Sequence, residues 1–370
     1  MKKLLVLFLA LILALCSLSA LAESVDPATI DDTITSDDGT YAVAFVTDVG
    51  QLKDKSFNEG TWNGAKLYAA ANGLTYKYYQ PANGDQATDD DRYDAMKAAA
   101  DAGAQVIVAA GFMQGTALAK AAAEYPDVKF VFIDGWAFDD LKNVVGIAFK
   151  EEQCGYFAGY AVVADGYESL GFSGGGGGTN PACMRYGYGF IQGANDAAAA
   201  LGKNVDMKFT WAYGASFAPS AELQTLISGW YETGTEVVFS AGGSIFSSIT
   251  AAASANDGAV IGVDVDQSYE SDTVITSALK GITEGTQWAV AKVFDGSWDE
   301  IGGTAVSLGV NDDAVGLPED TWQLEAFTVE DYLALKEKVA SGEIVVDDQA
   351  AENDPNQKGP WSNITVDYVE

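Results

Sequence analysis

The chain has 370 residues, with 53 acidic side chains, 20 basic ones and no histidine, and its formal net charge is −33. This negative charge argues against binding to nucleic acids or anionic membranes, because neutralising phosphates requires Lys and Arg. The lack of histidine excludes the Ser-His and Cys-His nucleophile pairs and the usual zinc ligand. We expect no catalytic residue, no metal and no cofactor.

The first residues have the pattern of a secretory signal peptide. Two lysines precede an apolar run over 4–15, and a small-x-small cleavage site ends at Ala22. We therefore predict a signal peptide over 1–22 and an extracytoplasmic protein. A lipid anchor at Cys16 is disfavoured, because Leu15 precedes it where lipoprotein signals usually have Gly, Ala or Ser.

Residues 23–40 are polar and acidic and are predicted to form a flexible leader. After them, short apolar runs rich in β-branched residues alternate with Ala-rich helical segments. This pattern is typical of a parallel sheet covered by helices on both faces. Because the remaining chain is longer than one core supports, we predict an α/β protein with two doubly wound lobes joined by a hinge.

The lobe boundaries follow from the order of the predicted elements. The predicted strands are 41–47, 74–79, 105–110, 129–133 and 144–148 in the first lobe and 170–173, 206–213, 236–240 and 259–263 in the second. Later segments, at 274–279, 284–294 and 303–308, are too few for a third domain and complete the first two. The predicted N-terminal lobe is 41–149 plus about 281–300, the C-terminal lobe is 150–280 plus about 301–350, and 351–370 is a C-terminal tail.

Candidate binding residues follow the predicted strands, because ligands of open parallel sheets bind at the carboxyl ends of the strands. Carboxylates, aromatic rings and close-approaching glycines recur there: Asp48, Phe57, Asn58, Phe112, Asp134, Trp136, Gly243 and Asp264. Such a set suits a ligand with a flat ring and hydroxyl groups. Alternatively, Phe57 packs in the local core, and Asp134 and Asp264 are helix N-caps.

Three other features of the sequence do not indicate a catalytic, phosphate-binding or metal-binding site. The glycine run 174–178 lacks the Gly-Lys-Ser/Thr ending of a phosphate loop and is interpreted as a flexible surface loop. The acidic run 89–91 lacks the spacing of a calcium loop and is interpreted as a solvated helix start. Cys154 and Cys183 permit one disulfide or two buried free thiols.

The motif Asp54-Lys55-Ser56-Phe57-Asn58, followed by Gly60 and Trp62, resembles the basic membrane protein (Bmp) family of solute-binding proteins. Further resemblance lies in residues 149–159, 186–193, 241–243, 262–267 and 276–280. The resemblance implies a type I periplasmic-binding-protein fold that serves an ABC importer. It also implies a purine nucleoside ligand, with the base between two aromatic rings and the ribose held by an Asp and a Lys.

Matching the motifs residue by residue assigns expected roles. Phe57 is the first stacking residue, and Phe217, in preference to Phe239, is the second. Asp264 accepts hydrogen bonds from the ribose and Lys280 lies beside it, while Asp48 and Asp134 contact the base.

The expected mechanism is capture of the ligand by hinge closure, without covalent chemistry, and recognition of the closed form by a membrane permease. We expect a monomer. The alternatives are a protein of the same fold that binds sugars or other small solutes, a nucleoside hydrolase that uses Asp264 and Asp266, and a sensory ectodomain. The hydrolase is disfavoured because the sequence has no calcium-type aspartate cluster, and the ectodomain because no membrane-spanning segment is predicted.

Overall fold

The computed structural model describes residues 25–49, 51–349 and 353–370. The predicted signal peptide over 1–22, with Cys16, lies outside the described residues. Within the described ranges, no helix combines the length and apolarity needed to span a bilayer.

The first part of the chain alternates strands and helices as predicted. Its elements are β1 (Val43–Val46), α1 (Phe57–Ala71), β2 (Tyr76–Tyr79), α2 (Asp89–Asp101), β3 (Val106–Ala110), α3 (Gly115–Glu124), β4 (Lys129–Ile133) and β5 (Val144–Phe149). All residues of β1 and β3 are buried, because helices cover both faces of the sheet. The acidic run starts α2, where Thr88 and Asp91 form a capping box.

The second part repeats this alternation. Its elements are α4 (Glu151–Asp165), β6 (Ser169–Gly174), α5 (Pro181–Leu201), β7 (Val205–Thr210), α6 (Ala221–Glu232), β8 (Val237–Ala241), α7 (Phe246–Ala255), β9 (Ala259–Asp264) and β10 (Val274–Lys280). Local sequence defines the ends of α5: Asn180 accepts a hydrogen bond from the Cys183 amide, Pro181 is the first helical residue, and Gly202 ends the helix with φ +65°.

The remaining elements are α8 (Ile282–Phe294), β11 (Ala305–Leu308), β12 (Val315–Gly316), α9 (Val329–Ala340) and β13 (Ile364–Val369). The strand order of the first sheet is β11-β5-β4-β3-β1-β2, and that of the second is β12-β10-β9-β8-β6-β7-β13. The first sheet is parallel throughout, and in the second only β12 runs antiparallel, within the part of the chain described.

The chain crosses between the two sheets after β5, after β10 and after β11. Backbone hydrogen bonds tie these crossings together: the Lys150 amide donates to Leu308 O over 2.9 Å, and the Gly281 amide donates to Ala314 O over 2.7 Å. A bundle of crossings joined in this way is a natural hinge between two lobes.

Two predicted boundaries are wrong. Residues 305–308, predicted in the C-terminal lobe within 301–350, form β11 and pair with β5 of the first sheet. The predicted tail over 351–370 contains β13, which pairs with β7 along its whole length and extends the second sheet. In both cases long-range strand pairing decides the lobe, and short strands carry no local signal of their partner.

The predicted flexible leader over 23–40 is anchored in its middle. Ile30 and Ile34 pack against the core. Asp32 accepts hydrogen bonds from Trp62 Nε1 (2.8 Å) and from the buried Lys66 Nζ (2.7 Å). These contacts fix residues 30–34 on the first lobe, because leaving Lys66 buried and unpaired would be unfavourable.

Candidate functional site

A cleft of about 560 Å³, including its mouth, lies between the carboxyl edges of the two sheets. Most of the predicted site residues line it: Asp48, Phe57, Asn58, Asp134, Phe217, Gly243, Asp264 and Lys280. Both lobes therefore contribute side chains to one site.

Phe112 and Trp136 do not line the cleft. Gly111 turns the backbone after β3 with φ +89°, so that Gly111 itself faces the cleft and Phe112 follows in a short 3-10 turn. The ring of Trp136 packs against Phe132 and Phe138 of the first lobe, with centroids 4.9 and 5.9 Å apart. Position at a strand end is thus insufficient, because it does not determine where the side chain points.

The motif at 54–58 organises a loop that presents Phe57 to the cleft. The buried Asp54 carboxylate accepts hydrogen bonds from the amides of Ser56, Asn58 and Glu59, over 3.0, 2.9 and 3.1 Å. It therefore caps α1. Asn58 bridges the loop to the end of β1, since its Nδ2 donates to Asp54 and its Oδ1 accepts from the Asp48 amide.

Asp48 directs a buried carboxyl group toward the cleft. A Cβ on Gly111 would lie 2.2 Å from Asp48 Oδ2, so only glycine leaves room for this group. Asp48 Oδ1 has no hydrogen-bond partner among the described residues. Burial raises the pKa of Asp48 to about 7, against a hydrogen bond from the Val49 amide that favours the charged form. A buried carboxyl group with one unpartnered oxygen is suited to a polar ligand atom.

We expect Asp48→Asn to flatten the pH dependence of stability. The folded-state pKa of Asp48, about 7, exceeds the ordinary value of 3.8, so the folded state binds more protons and its stability falls as pH rises between these values. Relative to the variant, the wild-type melting temperature should drop by about 2–4 °C from pH 5 to pH 8. Calorimetry measures this, with the exposed Asp85→Asn as control; parallel curves for wild type and Asp48→Asn would contradict it.

A buried chain of charges joins the first lobe to the hinge. Lys280 Nζ, at the end of β10, lies 2.7 Å from the Asp134 carboxylate and 3.0 Å from Glu151 Oε1. Arg185 Nε on α5 lies 2.6 Å from Glu151 Oε2. Burial raises the pKa of Asp134 to about 6 although Lys280 opposes the shift. Burial also disfavours the charged form of Glu151, but Lys280 and Arg185 outweigh it and lower the pKa of Glu151.

Asp264 ends β9 and is held from both lobes. Its Oδ2 accepts a hydrogen bond from Ser56 Oγ over 2.6 Å, and its Oδ1 accepts one from Tyr186 OH over 3.1 Å. Its φ is +68°, a left-handed conformation that Asp tolerates better than most residues. Asp134 and Phe217 also have positive φ, at 54° and 57°. Backbone strain therefore coincides with the cleft, as it often does at binding sites.

The glycine run 174–178 is a platform for aromatic rings, and its interpretation as a flexible surface loop is wrong. Gly174 and Gly175 are buried at the end of β6. A Cβ on Gly175 would lie 2.3 Å from Phe217 Cε1, and one on Gly174 would lie 2.0 Å from Trp211 Cζ3. The glycines let Phe217 approach the backbone and face the cleft.

Several residues of the site were not predicted from the sequence: Asp54, Asn180, Tyr186 and Ser244 line the cleft, and Glu151 pairs with Lys280. Glu151 and Tyr186 stand within segments that carried the family resemblance, but no spacing links them to Lys280 or Asp264. Their contacts depend on the packing of α4 against α5.

Cys154 and Cys183 are free thiols, so the disulfide alternative is wrong. Cys154 Sγ donates to Glu151 O within α4, whereas Cys183 lines the cleft. Burial raises the pKa of both thiols, which leaves them in the unreactive protonated form.

Comparison with known proteins decides the family. A profile described as ABC transporter substrate-binding protein PnrA-like, that of the Bmp family, matches residues 41–350. The chain belongs to the Bmp family. This confirms the resemblance carried by the motif at 54–58.

Among curated relatives, the Bmp protein is 27% identical to the ABC transporter nucleoside-binding protein BmpA of Lactococcus lactis subsp. cremoris (strain MG1363), over 94% of this chain and 99% of that protein. It is 30% identical to basic membrane protein B of Borreliella burgdorferi, over 66% of this chain and 70% of that protein.

Among solved structures, a solute-binding protein of Aeropyrum pernix K1 superposes with a TM-score of 0.68 at 23% identity, covering 82% of this chain and 93% of that one. One from Conexibacter woesei DSM 14684 gives 0.63 at 22% identity, covering 83% and 98%. These likenesses confirm the predicted two-lobed fold. Bmp proteins are extracytoplasmic substrate-binding subunits, so this chain takes a ligand, works with a membrane permease and is not an enzyme. The hydrolase alternative is thereby removed.

Proposed function

We propose that this Bmp protein captures purine nucleosides in the interlobe cleft and delivers them to its permease. The observation that carries the proposal is that Phe57 of the first lobe and Phe217 of the second line one cleft together with Asp264 and Lys280. Two rings from opposite lobes suit a flat base, which closure of the hinge would place between them. The nucleoside-binding relative from Lactococcus lactis supports the same ligand class.

The base edge is assigned to the first lobe. Asp48 and Asp134 both lie at the carboxyl ends of first-lobe strands and line the cleft. Asp48 Oδ1 has no hydrogen-bond partner among the described residues, and Asp134 is held in place by its ion pair with Lys280. A carboxyl group accepts hydrogen bonds when ionised and donates one when protonated. The pKa values of about 7 and about 6 place both groups near this change at neutral pH, which suits recognition of the N–H and N atoms of a purine.

The ribose is assigned to Asp264 and Lys280. An ionised carboxylate offers about four acceptor positions, and the described partners of Asp264 are Ser56 and Tyr186. An ammonium group has three N–H donors, and Lys280 directs two of them at Asp134 and Glu151. Each residue therefore retains capacity for a hydroxyl group of the sugar.

The expected affinity follows from these contacts. Base stacking contributes about 1–3 kcal/mol, and each charged hydrogen bond to ribose contributes about 1.5–3 kcal/mol. Submicromolar binding, about 8 kcal/mol or more, is reachable with both. The proposal includes a monomer that binds one ligand. Export by the signal peptide predicted over 1–22, without a lipid on Cys16, stays a prediction from the sequence.

Isothermal titration of purified protein, freed of bound ligand by unfolding and refolding, tests the ligand class. The ligands are adenosine, guanosine, inosine, uridine and ribose. Tight binding of the purine nucleosides without ribose binding supports the proposal. Ribose binding that competes with adenosine would favour the sugar-binding alternative. Absence of binding to every nucleoside would refute the proposal.

We expect Phe57→Ala to weaken purine nucleoside binding by about tenfold or more, because it removes one stacking face. Trp136→Ala is the comparison variant: it also removes a partly exposed first-lobe aromatic, but this ring lies outside the cleft. Its affinity should stay within about twofold of wild type once circular dichroism shows that both variants fold. Equal losses in the two variants would contradict the stacking role of Phe57.

A further inference from the structure

The loop before α1 touches the second lobe at three neighbouring points. Ser56 Oγ donates to Asp264 Oδ2 over 2.6 Å, and Gln267 Nε2 donates to Lys55 O over 2.8 Å. Lys55 Nζ also forms an ion pair with Glu270. We call these five residues the latch. Their bonds join the two lobes across the cleft rather than through the hinge.

Ser56 has an unusual use for a residue at a helix N-cap. An N-cap serine normally accepts a hydrogen bond from an amide of the first turn, but the Ser56 side chain makes no such bond. Asp54 accepts those amides instead. The hydroxyl of Ser56, which is fully buried, is thereby free to reach Asp264 on the other lobe.

Gln267 is built into the second lobe before it reaches the first. Its Oε1 accepts from the Val263 amide over 2.8 Å, and its own amide donates to Ser277 Oγ over 3.0 Å. The side chain is fully buried. The side-chain Nε2 of Gln267 donates to Lys55 O. The backbone of Lys55 has a positive φ of 57°. Lys55 therefore adopts a strained backbone conformation where its carbonyl oxygen accepts the hydrogen bond from Gln267.

We propose that Ser56 and Gln267 are positioning residues that hold the cleft closed and orient the Asp264 carboxylate toward the ligand. This inference rests on the proposed ligand site and deepens it. The bond from Ser56 fixes one oxygen of Asp264 from the lobe opposite to its own. Closure therefore completes the binding site as well as covering it. The Lys55–Glu270 pair contributes less, because both side chains are substantially exposed and water screens them.

Two variants are designed to remove hydrogen bonds of the latch while keeping the fold. Ser56→Ala removes only the hydroxyl, and this hydroxyl makes no capping hydrogen bond to α1. Gln267→Glu keeps an acceptor for the Val263 amide but loses the donor to Lys55 O. The controls are Ser341→Ala and Gln323→Glu. Ser341 donates to Lys338 O at the C-terminal end of α9, and Gln323 donates to Val274 O within the second lobe.

The measurements are the rates of adenosine binding and release, by stopped-flow tryptophan fluorescence, and the radius of gyration without ligand, by small-angle X-ray scattering. Adenosine binds to the open form and dissociates after the cleft reopens. A weaker latch should therefore raise the dissociation rate. We expect an increase of about tenfold in each latch variant, with an association rate within about twofold of wild type. Both variants should have a larger radius of gyration than wild type, and both controls should match wild type.

Latch variants that match wild type in dissociation rate and radius of gyration would overturn the proposal. A fall in the association rate alone, or a change shared by the controls, would also overturn it, because either result indicates a general effect on the site or the fold. If wild-type protein binds no nucleoside, the proposed function fails and the radius of gyration alone decides. Larger values in the latch variants would then support the latch, and equal values would refute it.

Discussion

Lys280→Met is expected to lower the free energy of unfolding by about 3–5 kcal/mol at pH 7.5, because removing one partner of a buried ion pair leaves its charge uncompensated. Lys280 is almost fully buried between Asp134 and Glu151, and its Nζ lies 5.0 Å from the centre of the Phe57 ring. Methionine preserves the apolar length of the side chain. The loss of unfolding free energy therefore measures the removal of the charge rather than the creation of a cavity.

The deficit should shrink at pH 5. Burial already raises the pKa of Asp134 to about 6, and without Lys280 the main charge that opposes this shift is lost. A proton on Asp134 therefore binds preferentially to the folded state, and acid stabilises the variant. Urea unfolding at pH 5 and pH 7.5 measures the difference. Lys203→Met is the control, since it removes an exposed pair with Glu168 and should cost less than about 1 kcal/mol. A deficit independent of pH would show that packing, rather than charge, is lost.

Asp264→Asn is expected to weaken purine nucleoside binding by about 100-fold or more. Two charged hydrogen bonds to ribose contribute about 1.5–3 kcal/mol each, and an amide cannot replace the two acceptor oxygens. The fold should persist, because Asn tolerates the left-handed backbone at this position, where φ is +68°. Isothermal titration against inosine measures the loss, and thermal unfolding verifies the fold.

Asp266→Asn provides a matched control two residues away. Asp266 accepts hydrogen bonds from the Ser268 amide and Thr321 Oγ, and it does not line the cleft. Its replacement should leave affinity within about threefold of wild type. Similar losses at 264 and 266 would argue that the negative charge of the segment, and not one carboxylate, attracts the ligand.

The alternation of strands and helices was sufficient to predict two parallel-sheet lobes, since buried strands and amphipathic helices leave local signals. Membership of a lobe was not predictable after residue 280. Strand β11 has four residues with no mark of whether β5 or a second-lobe strand is its partner. Strand β13 alternates buried and exposed residues over its first four positions, but its pairing with β7 depends on contacts more than 150 residues apart.

The site was predicted to the extent that it depends on strand ends. Asp48, Asp134 and Asp264 follow strands and line one cleft. Trp136 follows a strand equally well, yet its ring packs on the first lobe. The role of the glycine run was hidden, because composition indicates flexibility and only packing shows that Phe217 and Trp211 lie against it. The partner of Ser56 on the opposite lobe, Asp264, was equally hidden, because nothing in the local sequence indicates that contact.

The crossings between the sheets affect how the protein can fold. The first sheet needs β11, and the second needs β12 and β13, so neither lobe is encoded by one continuous stretch. A chain emerging from its N-terminus cannot complete its first sheet until residue 308 is available, after five of the seven strands of the second sheet have been made. Such non-local topology slows folding. The two lobes are therefore expected to mature together, and a fragment ending at residue 280 would leave both with exposed sheet edges.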